Sequence, residues 1–246
     1  MSTRWHLDLT GEVALVTGGT RNIGLAIARI LCLHGASVCI VGLQDQEALD
    51  QALETLNGDG ENTTGLLASV ADPLQVERIF DHAQTHFGPV SILVNAAAYR
   101  PHQPFADISS QDWHGVVDGI LTAAFYTSQQ LFRRLPDTHR GAVINLGGLS
   151  AHKPLTDRLH VIAAKTGLEG LTRALAEEGK GRIRANCLVP GAIATERRAG
   201  QYDPNKTAER SGQPADIARA VLPLADPLDN YFTGQTIHVN GGRFMT

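Results

Sequence analysis

The absences in this chain bound its function first. Its three cysteines, Cys32, Cys39 and Cys187, are an odd set without metal-like spacing. Free thiols in a reducing cytosol are the simple reading, and no metal site is expected. Basic residues show no surplus, with 21 Lys and Arg against 25 Asp and Glu and a formal net charge of -4, so nothing argues for nucleic acid. No stretch approaches about eighteen uninterrupted apolar residues, and Met1 to Asp8 carries no apolar signal region. No membrane span is therefore expected, and the cytoplasm is the expected location. Internal repeats, linkers and low-complexity tracts are missing too. What remains, 43% apolar and 19% charged over 246 residues, suits one soluble α/β domain with a single large core.

Short β-branched runs alternate with longer helical patterns. The runs at 13–16, 37–41, 92–94, 142–146 and 183–189 read as buried parallel strands. Between them, 23–33, 46–56, 73–87, 111–135 and 159–178 read as helices, with Gly35 a natural stop for the first. This alternation predicts a doubly wound parallel sheet of Rossmann type, one domain over 1–246, with ligands at the carboxyl ends of the strands. Residues 196–213 lack periodicity and are expected to form a polar lid over the substrate.

The first chemical motif, Thr17 to Gly24, directly follows the first strand and opens the first helix. Glycines there let backbone amides approach a pyrophosphate at the positive end of a helix. Gly18, Thr20, Arg21, Asn22, Ile23 and Gly24 are the expected contacts. The second strand ends at Val41-Gly42-Leu43-Gln44, without the acid that would bind a ribose 2′-hydroxyl. Later come Ser69-Val70, Asn95-Ala96 after the fourth strand, the turn Pro190-Gly191 with Ile193 and Thr195, and Lys165 on a helix.

In this order and spacing, the motifs from about Leu9 to Thr246 resemble the short-chain dehydrogenase/reductase family. The resemblance implies a nicotinamide cofactor held by the residues just named together with Leu43 and Lys165. Arg21 sits where basic residues of that family meet a 2′-phosphate, so NADP(H) is expected before NAD(H); the plainer reading of Arg21 is a solvated loop residue. Asn22 replaces a glycine of the family loop, which Asn tolerates through its access to positive φ.

The catalytic positions depart from the family. Its members carry a Tyr acid one helical turn before the Lys, a Ser about thirteen residues upstream of the Tyr, and a helix Asn. Counting from Lys165 places Val161, Gly148 and Ile120 at those positions. The resemblance implies that Val161 shares a helix face with Lys165 and walls the active site. His160 is a candidate acid, although in a regular helix it is rotated by about 100° from 161. Ser150, His152 and Tyr99 lie in loops on the ligand side, where loop surface is the plainer reading. Ser150, Asp157 and His160 suggest a hydrolytic triad, but no nucleophile elbow surrounds Ser150.

The expectation is an NADP(H)-dependent oxidoreductase transferring hydride to a small carbonyl or imine, with Lys165, His160 and Ser150 as catalytic candidates. The alternatives are a non-redox lyase, isomerase or carbon–carbon hydrolase on the same scaffold, and a non-catalytic cofactor-binding protein. Arg100, His102, Lys153, Arg158, Arg197 and Arg198 suggest an anionic substrate. Val116, Val117, Leu121, Ala124 and Phe125 are too numerous for a freely solvated helix; with the family's habit of pairing such helices, they imply a homo-oligomer, a homotetramer.

Overall fold

A computed structural model describes residues 7–58, 62–196, 211–227 and 231–245. Seven parallel strands form one sheet in the order β3-β2-β1-β4-β5-β6-β7. They are β1 (Val13–Thr17), β2 (Ser37–Gly42), β3 (Thr63–Leu67), β4 (Ile92–Asn95), β5 (Gly141–Leu146), β6 (Ile183–Pro190) and β7 (Thr236–Val239). The helices are α1 (Asn22–Leu33), α2 (Gln46–Asn57), α3 (Pro73–Phe87), α4 (Ser110–Val117), α5 (Ala123–Arg134), α6 (Leu159–Gly179) and α7 (Pro214–Ala225). The strand order reverses between β1 and β4, opening the ligand crevice of such folds.

Alternation along each strand divides the core between the two faces of the sheet. Ala14, Val16, Val38, Ile40, Ile92, Val94 and Ile144 pack with α1, α2 and α7. Val13, Leu15, Cys39, Val41, Leu93 and Val143 face α3 and α5 through Val76, Ile79, Phe80 and Leu131. Each such fully buried aliphatic side chain contributes about 1.5–3 kcal/mol relative to exposure. Burial also pushes the Cys39 and Cys187 thiols up to about 12.

Three departures from the expected pattern have physical reasons. The expected 111–135 helix is interrupted by a π-turn, Asp118–Thr122, between α4 and α5. A wider turn re-aims the residues it contains, and Ile120 within it is buried against Val116, Ala124, Val161, Ala164 and Leu168. The edge strands β3 and β7 are only half-buried, so they lack a continuous apolar run. The helix α7 begins at Pro214 behind a Gln213–Asp216 capping box rather than behind an apolar repeat. Residues 197–210 of the expected lid, with Arg197 and Arg198, lie outside the described residues.

Candidate functional site

The glycine-rich loop joins β1 to α1. Gly18 has φ +65°, and a β-carbon there would lie 2.9 Å from Cα of Ala97 on the neighbouring crossover loop. At Gly24 a β-carbon would collide with the carbonyl oxygen of Gly18, so only glycine lets α1 start this close to the loop. Thr20 packs against Gly42 at the end of β2. Arg21 precedes α1 and makes no side-chain capping bond to its first turn. That bare helix start, beside a cradle that side chains would fill, fits the diphosphate of a dinucleotide.

Arg21 instead pairs with Asp45, its Nη2 2.5 Å from Oδ2. Asp45 also caps α2 by accepting from the Ala48 amide. The acid absent from the last residues of β2 is thus present just beyond them, next to an exposed Leu43. Across the sheet, Ser69 accepts from the Ala71 amide and Val70 packs onto the core at the start of α3.

At the ends of β4 and β5 the polar side chains turn inward. Thr127 donates to Asn95 Oδ1 (2.7 Å), Asn95 Nδ2 to Asn145 Oδ1 (2.9 Å), and Asn145 Nδ2 to Thr172 (2.9 Å). This buried chain ties α5, the sheet and α6 together. Asn95 therefore presents its backbone, not its side chain, to the crevice, while the Ala96 and Ala97 amides both donate to Thr17 Oγ1.

Lys165 is buried on α6 and donates to the backbone carbonyl of Leu146 at the end of β5. Desolvation, and then the positive charge of Arg100, lower its pKa to about 7. A β-carbon on Gly148 would sit 3.7 Å from Lys165 Cγ and 3.8 Å from Ser150 Oγ. Gly148, Ser150 and Lys165 therefore share one small space at the carboxyl end of the sheet.

The other candidates are elsewhere. His160 is fully buried, both ring nitrogens lack a hydrogen-bond partner, and burial lowers its pKa. The charge of Asp112 on α4 acts in the opposite direction and raises that pKa, and that of Arg158 lowers it further. Because α6 begins regularly at Leu159, the ring is turned away from the face of Lys165. Val161 is a correction. It is 1% exposed and packs with Val116 and Ile120, so it is a core residue and not the wall of an open pocket.

His152 reaches Glu169 of α6, Nε2 to Oε1 at 2.8 Å, and stacks near His238 and Phe244 with centroids 4.4 and 5.2 Å away. Its ring is thus anchored beneath the C-terminal segment. Glu169, one turn beyond Lys165, carried no signal in the sequence because its partner is seventeen residues away in a loop. Tyr99 is exposed. Arg158 donates to His102 Nε2, and Gln103 N donates to Asp157 O at 2.8 Å, joining the loops after β4 and β5. Lys153 stays exposed in the latter loop. After β6, a β-carbon on Gly191 would lie 2.7 Å from Asn240 Cα. Ile193 is buried and bridges Gly212, and Thr195 remains half-buried before Glu196.

The family described as enoyl-(acyl carrier protein) reductase matches residues 18–243. The 3-oxoacyl-(acyl-carrier-protein) reductase of Vibrio cholerae is 34% identical over 97% of this chain and 100% of its own. Its Escherichia coli K12 counterpart is 32% identical over the same shares. A dehydrogenase/reductase from Sinorhizobium meliloti 1021 superposes with a TM-score of 0.89 at 28% identity, covering 96% of each chain. The chain belongs to the short-chain dehydrogenase/reductase family. Its class is that of an NAD(P)-dependent oxidoreductase, a family that binds nicotinamide cofactors. Among the described residues, no helix is long and apolar enough to cross a membrane.

Proposed function

We propose that this chain is an NADP(H)-dependent oxidoreductase that reduces a small carbonyl or imine without the tyrosine acid of its family. The observation that carries this reading is Lys165, buried beside Gly148 and Ser150 while Val161 and Ile120 fill an apolar cluster. Gly18, Thr20, Asn22, Ile23 and Gly24 would hold the diphosphate, Arg21 the 2′-phosphate, and Leu43, Ser69 and Val70 the adenosine end. The backbones of Asn95, Ala96, Pro190, Gly191, Ile193 and Thr195 would flank the nicotinamide half. When bound, that group supplies the hydride.

The protein's own residues position the substrate, and solvent supplies the proton that a reduced carbonyl oxygen takes up. Lys165 Nζ is fixed on the Leu146 carbonyl, while the stem of the side chain and Ser150 Oγ border the same space at Gly148. Ser150 is the hydroxyl available to orient a substrate oxygen, standing in for the one missing at Gly148. His160 is left out of this reading, since its ring is buried and α6 runs regularly from Leu159, rotating it away from the face of Lys165. With no phenol present, a substrate that already bears positive charge, such as an iminium, needs least from the protein. Arg100 beside Lys165, with His102 and Arg158 on the joined loops, favours an anionic substrate.

Assembly as a homotetramer belongs to the same proposal. Of the apolar residues that suggested it, Val116 and Ala124 are buried inside the chain and Val117 and Leu121 are partly buried against them. Phe105, Phe125, Leu155 and Leu159 remain exposed and now carry the argument. The test of function is dinucleotide oxidation, followed by absorbance with a panel of small carbonyls and imines. Wild type should turn over at least one, and Lys165→Met should lose about a hundredfold or more.

A further inference from the structure

Asn22 stands in the left-handed region with φ 54°, a place where glycine would be the least strained residue. Its side chain, however, is fully used. The Glu196 amide donates to Asn22 Oδ1 at 2.8 Å, and Asn22 Nδ2 donates to the Glu196 carbonyl at 3.1 Å. One carboxamide thus pairs with both main-chain groups of one residue, as a residue of one strand pairs with its neighbour on another. Neither bond belongs to a helix or to the sheet. The contact joins the glycine-rich loop to the segment leaving β6, which is itself tied back through Ala194 N to Gly212 O (2.8 Å) and Gly212 N to Ala192 O (2.9 Å). These two loops flank the open start of α1.

We infer that the Asn22 side chain is a positioning residue that straps the glycine-rich loop to Glu196 across the diphosphate and sets how long a dinucleotide stays bound. The inference rests on the reading of residues 17–24 as the dinucleotide loop. A bound dinucleotide lies between the strapped loops, and leaving requires both hydrogen bonds to open. The strap is therefore read on dissociation, the step in which both hydrogen bonds must open around a bound dinucleotide.

Asn22→Gly tests this well, because glycine suits φ 54° and the fold should keep its thermal midpoint. Bound NADPH is displaced by excess NADP+ in a stopped-flow fluorescence experiment. The expected result is dissociation about tenfold faster than wild type, the scale set by two modest hydrogen bonds, with association changed less than twofold. Hydrogen exchange supplies a second readout, in which the Glu196 amide should lose protection in Asn22→Gly. Unchanged dissociation from a folded Asn22→Gly variant that still binds NADPH overturns the strap and leaves the cofactor reading intact. A wild type that binds neither NADPH nor NADH overturns both.

Discussion

A β-carbon on Gly148 would lie 3.7 Å from Cγ of Lys165, an ordinary van der Waals contact with room for a small side chain. Gly148→Ser should therefore fold as wild type does. Val161→Tyr should not, because it overfills the cluster with Val116 and Ile120 and costs about 1–3 kcal/mol. Urea denaturation of the two single variants measures the difference. If the Val161→Tyr variant is as stable as wild type, the site around residue 161 has unfilled space that this packing excludes.

Arg21 and Asp45 make cofactor preference a competition. The pair is about two-fifths exposed on each side, so it is a modest interaction that a 2′-phosphate can displace. NADPH should bind more tightly than NADH. Asp45→Asn should strengthen NADPH about twofold to fivefold, with NADH changed less. Arg21→Ala should weaken NADPH alone, about tenfold or more. Fluorescence titration decides, and equal losses for both dinucleotides in Arg21→Ala would remove Arg21 from the 2′-phosphate.

Lys165 should give the protein a pH-dependent stability. Its native pKa of about 7 lies below the ordinary 10.5, so in that window the unfolded chain binds more protons than the native one. Stability therefore rises with pH from about 7 toward 10.5, other groups being equal. Lys165→Met abolishes this contribution, so urea midpoints between about pH 7 and 9 should climb less steeply than in wild type. Parallel slopes would show that the ammonium is not desolvated.

The chain Thr127–Asn95–Asn145–Thr172 is a structural commitment beneath the site. Asn145→Leu leaves Asn95 Nδ2 without its partner in the core, at a cost of about 1–3 kcal/mol. Calorimetry should show a lower midpoint. If instead stability is unchanged, water or a side-chain rotation has replaced the lost bond.

The sequence disclosed what local chemistry determines. Strands buried on both faces, such as β1 and β2, read as uninterrupted β-branched runs, and the loop from Thr17 to Gly24 follows from glycine geometry. The half-buried edges β3 and β7 have no such run, and the π-turn at Asp118–Thr122 is hidden inside a helical pattern. Pairings between distant segments were the least legible. Neither Arg21 with Asp45, nor His152 with Glu169, nor Asn22 with Glu196 follows from spacing, because each depends on loops brought together only by the folded sheet. His160 shows the opposite case. The rotation of about 100° per residue already turned it away from Lys165, and the regular start of α6 keeps it there.

The proposal that reduction proceeds without a tyrosine acid is tested most directly by single-turnover NADPH oxidation with a matched pair of substrates, one a ketone and one the corresponding iminium. General acid catalysis supplies about 10²–10⁴ in rate, and an iminium has no need of it. The enzyme should reduce the iminium faster than the ketone by about that factor, after correction for the two reactions without enzyme. Ketone reduction within about tenfold of the iminium would contradict it, since some side chain would then be acting as a full-strength acid.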